Sequence, residues 1–394
     1  MQSSAHGAVK LAADRMRGGN QPAAKRILLS HGAAVRGPQA VSRIKGFHPD
    51  YGQELEPHPQ LASKITVETA QCHAKMVQGA LRRNAPTDPY GWSHDLFYGD
   101  VDRKRANGRP TLLDQVARLS ALTASASLPP DAYLLFTVAF VSELNKVDRD
   151  AQEERLNQGL EPKTRPIAAT CEVGKVALSA AKDTAPAKRA QSDLAPIQIG
   201  CGVKEGSAIM AATAQTLHLS GYAVKLDDKV SAFSSISRQA IHDGVNTMLP
   251  EANALVQAFY GAPSPVFYLY FDRDRRVWVI EIFWNREGPR QGCTWGTFLY
   301  CMGVQRSNAT LAREFPNVYA RAQCDDNLRA VRPLPGQSWA DTYLLLARYI
   351  DREDELYDAL HLRRHHDKSF LVLAPGSPPP FFECLSVKQT HGHS

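Results

Sequence analysis

Apolar positions change their spacing along the chain, and the changes divide it. Over 57–83 large apolar side chains fall at helical intervals, with Leu61, Ile65, Val67 and Ala70 followed by Met76, Val77 and Leu81, which places them on one helical face. A turn-rich stretch follows, Asn84-Ala85-Pro86-Thr87-Asp88-Pro89-Tyr90-Gly91-Trp92. Two more helices are predicted over 111–126 and 131–144, separated by the breaker Pro129-Pro130. Residues 1–30 hold few large apolar groups and read as a flexible basic lead-in. Residues 31–128 read as a mostly helical N-terminal region.

Beyond Leu144 the pattern shifts. Residues 148–162 carry Arg149, Asp150, Glu153, Glu154 and Arg155 and are expected to form a charged loop. Strand-like runs follow at 222–226, 266–271, 277–283 and 318–324, and Asp272-Arg273-Asp274 reads as the tip of a hairpin rich in aromatic and β-branched residues. Helical spacing returns between Ser338 and Leu360, with Trp339, Tyr343, Leu346 and Ile350, and 370–373 gives a last strand. Helices grouped with antiparallel hairpins predict an α+β fold rather than a doubly wound parallel sheet. The Pro-rich stretch 375–380 ends compact structure, leaving 386–394 as a loose tail.

Composition adds little to this frame. The chain has 394 residues, 43% hydrophobic and 22% charged, ordinary for a globular protein. No apolar run approaches the ~18 residues of a membrane span, and the first residues lack the pattern of a secretory signal. An intracellular setting, nuclear or cytoplasmic, is the expectation. The net charge of +6 suits a polyanionic partner. Seven scattered cysteines form no CxxC pair, so neither a disulfide framework nor a cysteine zinc site is indicated. His361 and His365 have the i, i+4 spacing of a zinc pair, but Arg363, Arg364 and His366 around them favour a solvated basic surface.

Candidate chemistry lies in the acids. In Lys225-Leu226-Asp227-Asp228-Lys229-Val230-Ser231-Ala232-Phe233 an apolar approach delivers two carboxylates to a strand end. A cation such as Mg²⁺ would offset the cost of burying them; alternatively they cap the turn before the next helix. In Gln323-Cys324-Asp325-Asp326 two adjacent acids occupy a hairpin tip. Like charges side by side repel unless a cation screens them, although an ordinary Asp-Asp turn has the same sequence. Between these segments Arg290-Gln291-Gly292-Cys293 reads as a glycine-containing loop entering a helix.

Taken in order, these segments resemble the palm of non-LTR retrotransposon reverse transcriptases. Asp228-x-x-Ser231-Ala232-Phe233 looks like the family's first palm motif, Arg290-Gln291-Gly292-Cys293-x-x-Gly296-x-Phe298-Leu299 like its second, and Gln323-Cys324-Asp325-Asp326 like its third. Lys368-Ser369 with Val372-Leu373-Ala374-Pro375 is similar to the fourth. Upstream, Leu144-x-Lys146 and Thr164-Arg165-Pro166-Ile167-Ala168 resemble fingers elements. Ala195-Pro196-x-Gln198-Ile199-Gly200-x-Gly202-Val203 resembles the segment before the palm, and 85–92 the entry to the fingers.

The resemblance implies right-hand polymerase fingers and palm over 129–385, with an antiparallel palm sheet. It implies RNA-directed DNA synthesis from dNTPs on an RNA template and DNA primer, with two Mg²⁺ or Mn²⁺ ions bound by Asp228, Asp325 and, more weakly, Asp326. Asp227 is the competing ligand; Asp228 is favoured because it stands five before Phe233, as in the family. Lys146 and Arg165 would contact the triphosphate, Phe233 would lie under the deoxyribose or else belong to the core, and Gln291 and Gly292 would flank the templating pair. Lys368 would act as general acid.

Three departures stand out. Gln323 replaces the family's aromatic, Thr294 and Trp295 add bulk beside the template site, and no thumb is expected after Phe382. The alternative is therefore a truncated, inactive retroelement fragment that retains only nucleic-acid binding.

Overall fold

The computed structural model describes residues 34, 36–52, 55, 64–77, 90 and 110–381. The lead-in, the tail, most of 84–92 and both ends of the 57–83 pattern lie outside the described residues. The helices are α1 (Gln39–Gly46), α2 (Thr69–Lys75), α3 (Leu112–Ala124), α4 (Pro130–Thr137), α5 (Arg149–Asn157), α6 (Glu172–Lys182), α7 (Ala185–Asp193), α8 (Gly206–Leu219), α9 (Ala232–Ser235), α10 (Arg238–Met248), α11 (Asn253–Tyr260), α12 (Gly296–Glu314) and α13 (Trp339–Asp358). The strands are β1 (Ala139–Asn145), β2 (Thr164–Thr170), β3 (Ala223–Asp227), β4 (Ser264–Asp272), β5 (Val277–Asn285), β6 (Tyr319–Gln323), β7 (Asp326–Val331) and β8 (Phe370–Val372). They form two four-stranded sheets, ordered β2-β1-β4-β5 and β6-β7-β3-β8. The fold is α+β.

Two sequence expectations are corrected. The helix predicted over 131–144 stops at Thr137, and 139–145 is β1, whose burial alternates with a period of two. Its Ala139 and Phe140 pair in parallel with Val266 and Phe267 of β4, so pairing distant in sequence overrides the local pattern. The charged loop at 148–162 contains helix α5, begun by Asp148, whose carboxylate accepts the Ala151 amide at 2.8 Å. A helix with no apolar stripe shows no periodicity to read.

The chain divides into two compact units. The smaller (1–44, 141–167 and 268–281) is built around buried Glu143. That carboxylate takes a two-pronged bond from Arg43 at 2.6 and 2.7 Å and a third from the Thr164 hydroxyl at 2.6 Å. Lys146 and Arg165 belong to this unit, and both are exposed. Glu161 pairs with Arg43 at 3.6 Å. Strand β5, whose last residues from Ile282 on belong to the larger unit, is an edge of its sheet among the described residues, and Trp278, Ile280, Ile282 and Trp284 are exposed along it.

The larger unit contains the second sheet, antiparallel throughout. Alternation gives its faces different chemistry. Val224, Leu328 and Ala330 pack with Met210 of α8 on one side. On the other, Ala223, Val331 and Leu371 pack with Leu346 and Ile350 of α13. Toward the acid-bearing end this second face becomes ionic. Lys225 lies opposite Arg329 in register, a like-charge pair that would repel, and both are fully buried.

Two acids resolve the conflict. Asp227 accepts Lys225 at 2.8 Å and has Arg364 Nε at 3.6 Å. Glu353 of α13 accepts Arg329 Nε at 3.1 Å and has Lys229 Nζ at 3.6 Å. Burial alone would raise the Glu353 pKa, but the charges of Arg329, Lys229 and Arg364 overcome it and hold the carboxyl at about 2. Removing one partner of such a network leaves buried charge uncompensated. Glu353→Ala is therefore expected to lower unfolding free energy by about 3–5 kcal/mol in urea denaturation. Arg352→Ala, at the surface pair with Glu314, should leave the midpoint unchanged. Equal effects of the two would show that the network contributes no more than a surface pair.

Candidate active site

The antiparallel sheet brings acids from separate segments to one end. Asp228 follows β3 directly, Asp325 occupies the turn between β6 and β7, and Asp326 begins β7. Strand parity separates Asp227 from Asp228. The Asp227 side chain points with Lys225 into the ionic face and is fully buried, whereas Asp228 is partly exposed. Neither caps the next helix, since the residue before α9 is Ser231.

The 363–369 segment grips this strand end. His365 N–H donates to Asp228 O at 2.9 Å, Val230 N–H to Arg363 O at 2.9 Å, and Asp228 N–H to Ser369 Oγ at 3.4 Å. Lys368 then donates to Asp228 Oδ2 at 2.6 Å. A cavity of about 330 Å³ opens here, lined by Met210, Leu226, Asp228, Asp326, Lys368 and Phe370 among others.

The acids feel one another. Burial first, then the charges of Asp326 and Asp228, push the Asp325 carboxyl up to about 6, against the opposing pull of its own backbone amide and of Lys368. Burial and Asp228 likewise raise Asp326, which Lys368 opposes.

The chemistry suits a hard cation, because three carboxylates share a field and only one ammonium answers them. Among the described residues, however, no group of three or more His, Cys, Asp or Glu side chains is arranged to hold a metal ion. A preformed three-ligand site is thus not present. The set fits an Mg²⁺ held by one or two carboxylates whose shell is completed by water and substrate phosphates.

The remaining sequence candidates fall in the same unit. Phe233 is partly buried and stacks on Tyr300 with ring centres 5.1 Å apart. Gln291 and Gly292 are exposed. Gln291 O accepts the Ala168 amide at 2.8 Å, and a Cβ on Gly292 (φ +119°) would stand 2.4 Å from Ala168 O. The glycine therefore serves an approach of the chain to itself. Trp295, expected beside the template, is instead fully buried, its indole donating to Leu178 O at 2.6 Å. Gln323 lies against the start of α8, where a Cβ on Gly206 would meet its Oε1 at 2.2 Å.

Sequence reasoning missed the ionic face behind the acids. Its one visible trace is Lys225-x-Asp227-x-Lys229, charges at a period of two in an apolar strand. No helix among the described residues is long and apolar enough to cross a membrane.

Among solved structures, the chain is similar to apo telomerase from Candida tropicalis truncated from its C-terminal domain, at 8% identity and TM-score 0.40, covering 60% of this chain and 50% of that one. It is also similar to telomerase from Candida albicans in complex with the TWJ fragment of telomeric RNA, at 8% identity and TM-score 0.42, covering 64% and 45%. A second structure of apo telomerase from Candida tropicalis gives 10% identity and TM-score 0.42 over 64% and 47%. The chain spans half or less of the telomerase chains it matches. Likeness of this size assigns neither activity nor partner. No protein-family model and no curated protein matches the sequence.

Proposed function

We propose that the chain is the fingers-and-palm part of an RNA-directed DNA polymerase of non-LTR retrotransposon type, transferring a nucleotidyl group from a dNTP to a primer 3′-hydroxyl. The observation that carries this reading is the convergence of Asp228, Asp326 and Lys368 on one cavity, with Asp325 within their field. Three separate segments supply them, and these are the positions that the motif order selects.

Asp228 and Asp325, with Asp326 as the weaker ligand, would hold divalent cations. Such ions supply activation of the primer hydroxyl and neutralisation of the leaving pyrophosphate. Lys368, half-exposed beside Asp228, is the candidate donor of a proton to the departing pyrophosphate oxygen. Phe233, held against Tyr300, would meet the deoxyribose, and Gln291 with Gly292 the templating pair. Lys146 and Arg165 are proposed triphosphate contacts on the motif resemblance alone.

Primer extension on an RNA template with Mg²⁺ or Mn²⁺ tests the reading. The wild-type chain should extend, and Asp228→Ala and Asp325→Ala should each lose at least about a hundredfold. Absence of extension, together with salt-sensitive RNA binding indifferent to Asp228→Ala, would favour the inactive nucleic-acid-binding fragment.

The raised Asp325 carboxyl makes a second prediction, with divalent cations removed by chelation. Its folded pKa of about 6 exceeds the usual 3.8, so the folded state binds the proton more tightly than the unfolded one. Stability should rise as pH falls through about 6 toward 4. Asp325→Asn should remove that component and stabilise the chain at pH 7 by about 1–2 kcal/mol, after allowance for partial exposure. A thermal midpoint that responds to pH identically in both proteins would show that Asp325 does not titrate in this window.

A further inference from the structure

The segment 195–203 holds one side chain with no part in the chemistry above. Gln198 is fully buried beside the turn that carries Asp325. Its backbone neighbours lie along the edge strand β6: Ile199 N–H donates to Ala322 O at 2.8 Å, and Ala322 N–H to Ile197 O at 2.7 Å. This brings the Gln198 amide to both backbone polar groups of Cys324. Oε1 accepts the Cys324 N–H at 2.8 Å, Nε2 donates to Cys324 O at 3.1 Å, and Oε1 also accepts the Gly200 N–H at 2.9 Å.

Cys324 needs such a partner. It has φ +58°, in the region that costs a side-chain-bearing residue about 1–2 kcal/mol. It is the first residue of a two-residue hairpin connection, where positive φ ordinarily selects glycine. Both of its backbone polar groups turn away from the β6–β7 ladder, which closes at Gln323 and Asp326, and Gln198 satisfies both. The fit is close, since a Cβ on Gly200 would stand 2.4 Å from Cys324 N and 2.5 Å from its Sγ. Glutamine alone among the side chains of this length has both a donor and an acceptor; glutamate would set an oxygen against Cys324 O.

We infer that Gln198 is a positioning residue: its amide locks Cys324 in the left-handed conformation and so aims Asp325 and Asp326 into the site. The catalytic consequence rests on the polymerase reading; the control of the turn does not. The clamp acts on the main chain at the residue before the acids, so it fixes their direction without touching them.

The test uses the full chain with Gln198→Ala, Gln198→Glu, Cys324→Gly and the double variant Gln198→Ala/Cys324→Gly. With ¹⁵N-cysteine labelling, Gln198→Ala should speed hydrogen exchange at the Cys324 amide about tenfold or more. Exchange at the Val224 and Leu328 amides, followed with ¹⁵N-valine and ¹⁵N-leucine, should stay unchanged.

In primer extension Gln198→Ala and Gln198→Glu should lower kcat about tenfold with KM for dNTP within about twofold. Cys324→Gly in the Gln198→Ala background should recover kcat to within about threefold of wild type, because glycine holds positive φ without a clamp. Unchanged exchange at Cys324, equal acceleration at Val224 and Leu328, or failure of the glycine to rescue overturns the inference. If the wild-type chain extends no primer, the polymerase reading fails by itself, and the exchange arm alone decides whether Gln198 holds the turn.

Discussion

Two cations face each other in register inside the antiparallel sheet, and everything at its acid-bearing end depends on how they are neutralised. Lys225 and Arg329 are buried where a sheet of this kind ordinarily places aliphatic side chains. They are tolerated because Asp227 answers one and Glu353, from the helix beneath, answers the other. Such a network stabilises less than a packed apolar layer would, but it penalises any other register. A slip of β3 by one residue would carry Lys225 and Asp227 together to the opposite face and take Asp227 away from Arg364.

That choice of face also shapes the exposed site. Lys225, Lys229, Arg329 and Arg364 outnumber Asp227, Glu353 and Asp354 by one in the ionic layer. Asp227 is drawn into that layer, so the strand end presents Asp228, Asp325 and Asp326, and Lys368 offsets part of their mutual repulsion. Burial, more than that repulsion, keeps the Asp325 carboxyl raised.

Much of this was legible in the chain. The hairpin around 272–274, strand β3, helix α13 and strand β8 follow from period and turn chemistry, because each has one apolar face and short-range signals at its ends. The motif resemblance points to Asp228, Asp325, Asp326 and Lys368, and the fold brings Asp228, Asp326 and Lys368 to one cavity. What could not be read depends on pairing across distance. β1 reads locally as the end of a helix, because only its partner β4 identifies it as a strand. α5 reads as a loop, because a helix without an apolar stripe has no period. The ionic face exists only once β3 pairs with β7 and strand parity turns Lys225 and Asp227 inward with Arg329. Gln198 stood in a noticed motif, but its role exists only when residues 198 and 324 meet.

The edge strand β5 brings a different consequence. Among the described residues, Trp278, Ile280, Ile282 and Trp284 stand exposed on a strand that comes last in its sheet's order. An edge of that kind is a template for joining another chain strand to strand, and natural sheets usually blunt it with lysine, proline or a bulge. Residues 277–285 hold neither lysine nor proline. A lysine in place of Ile280 would blunt this edge, by adding a charge that strand-to-strand joining would have to desolvate.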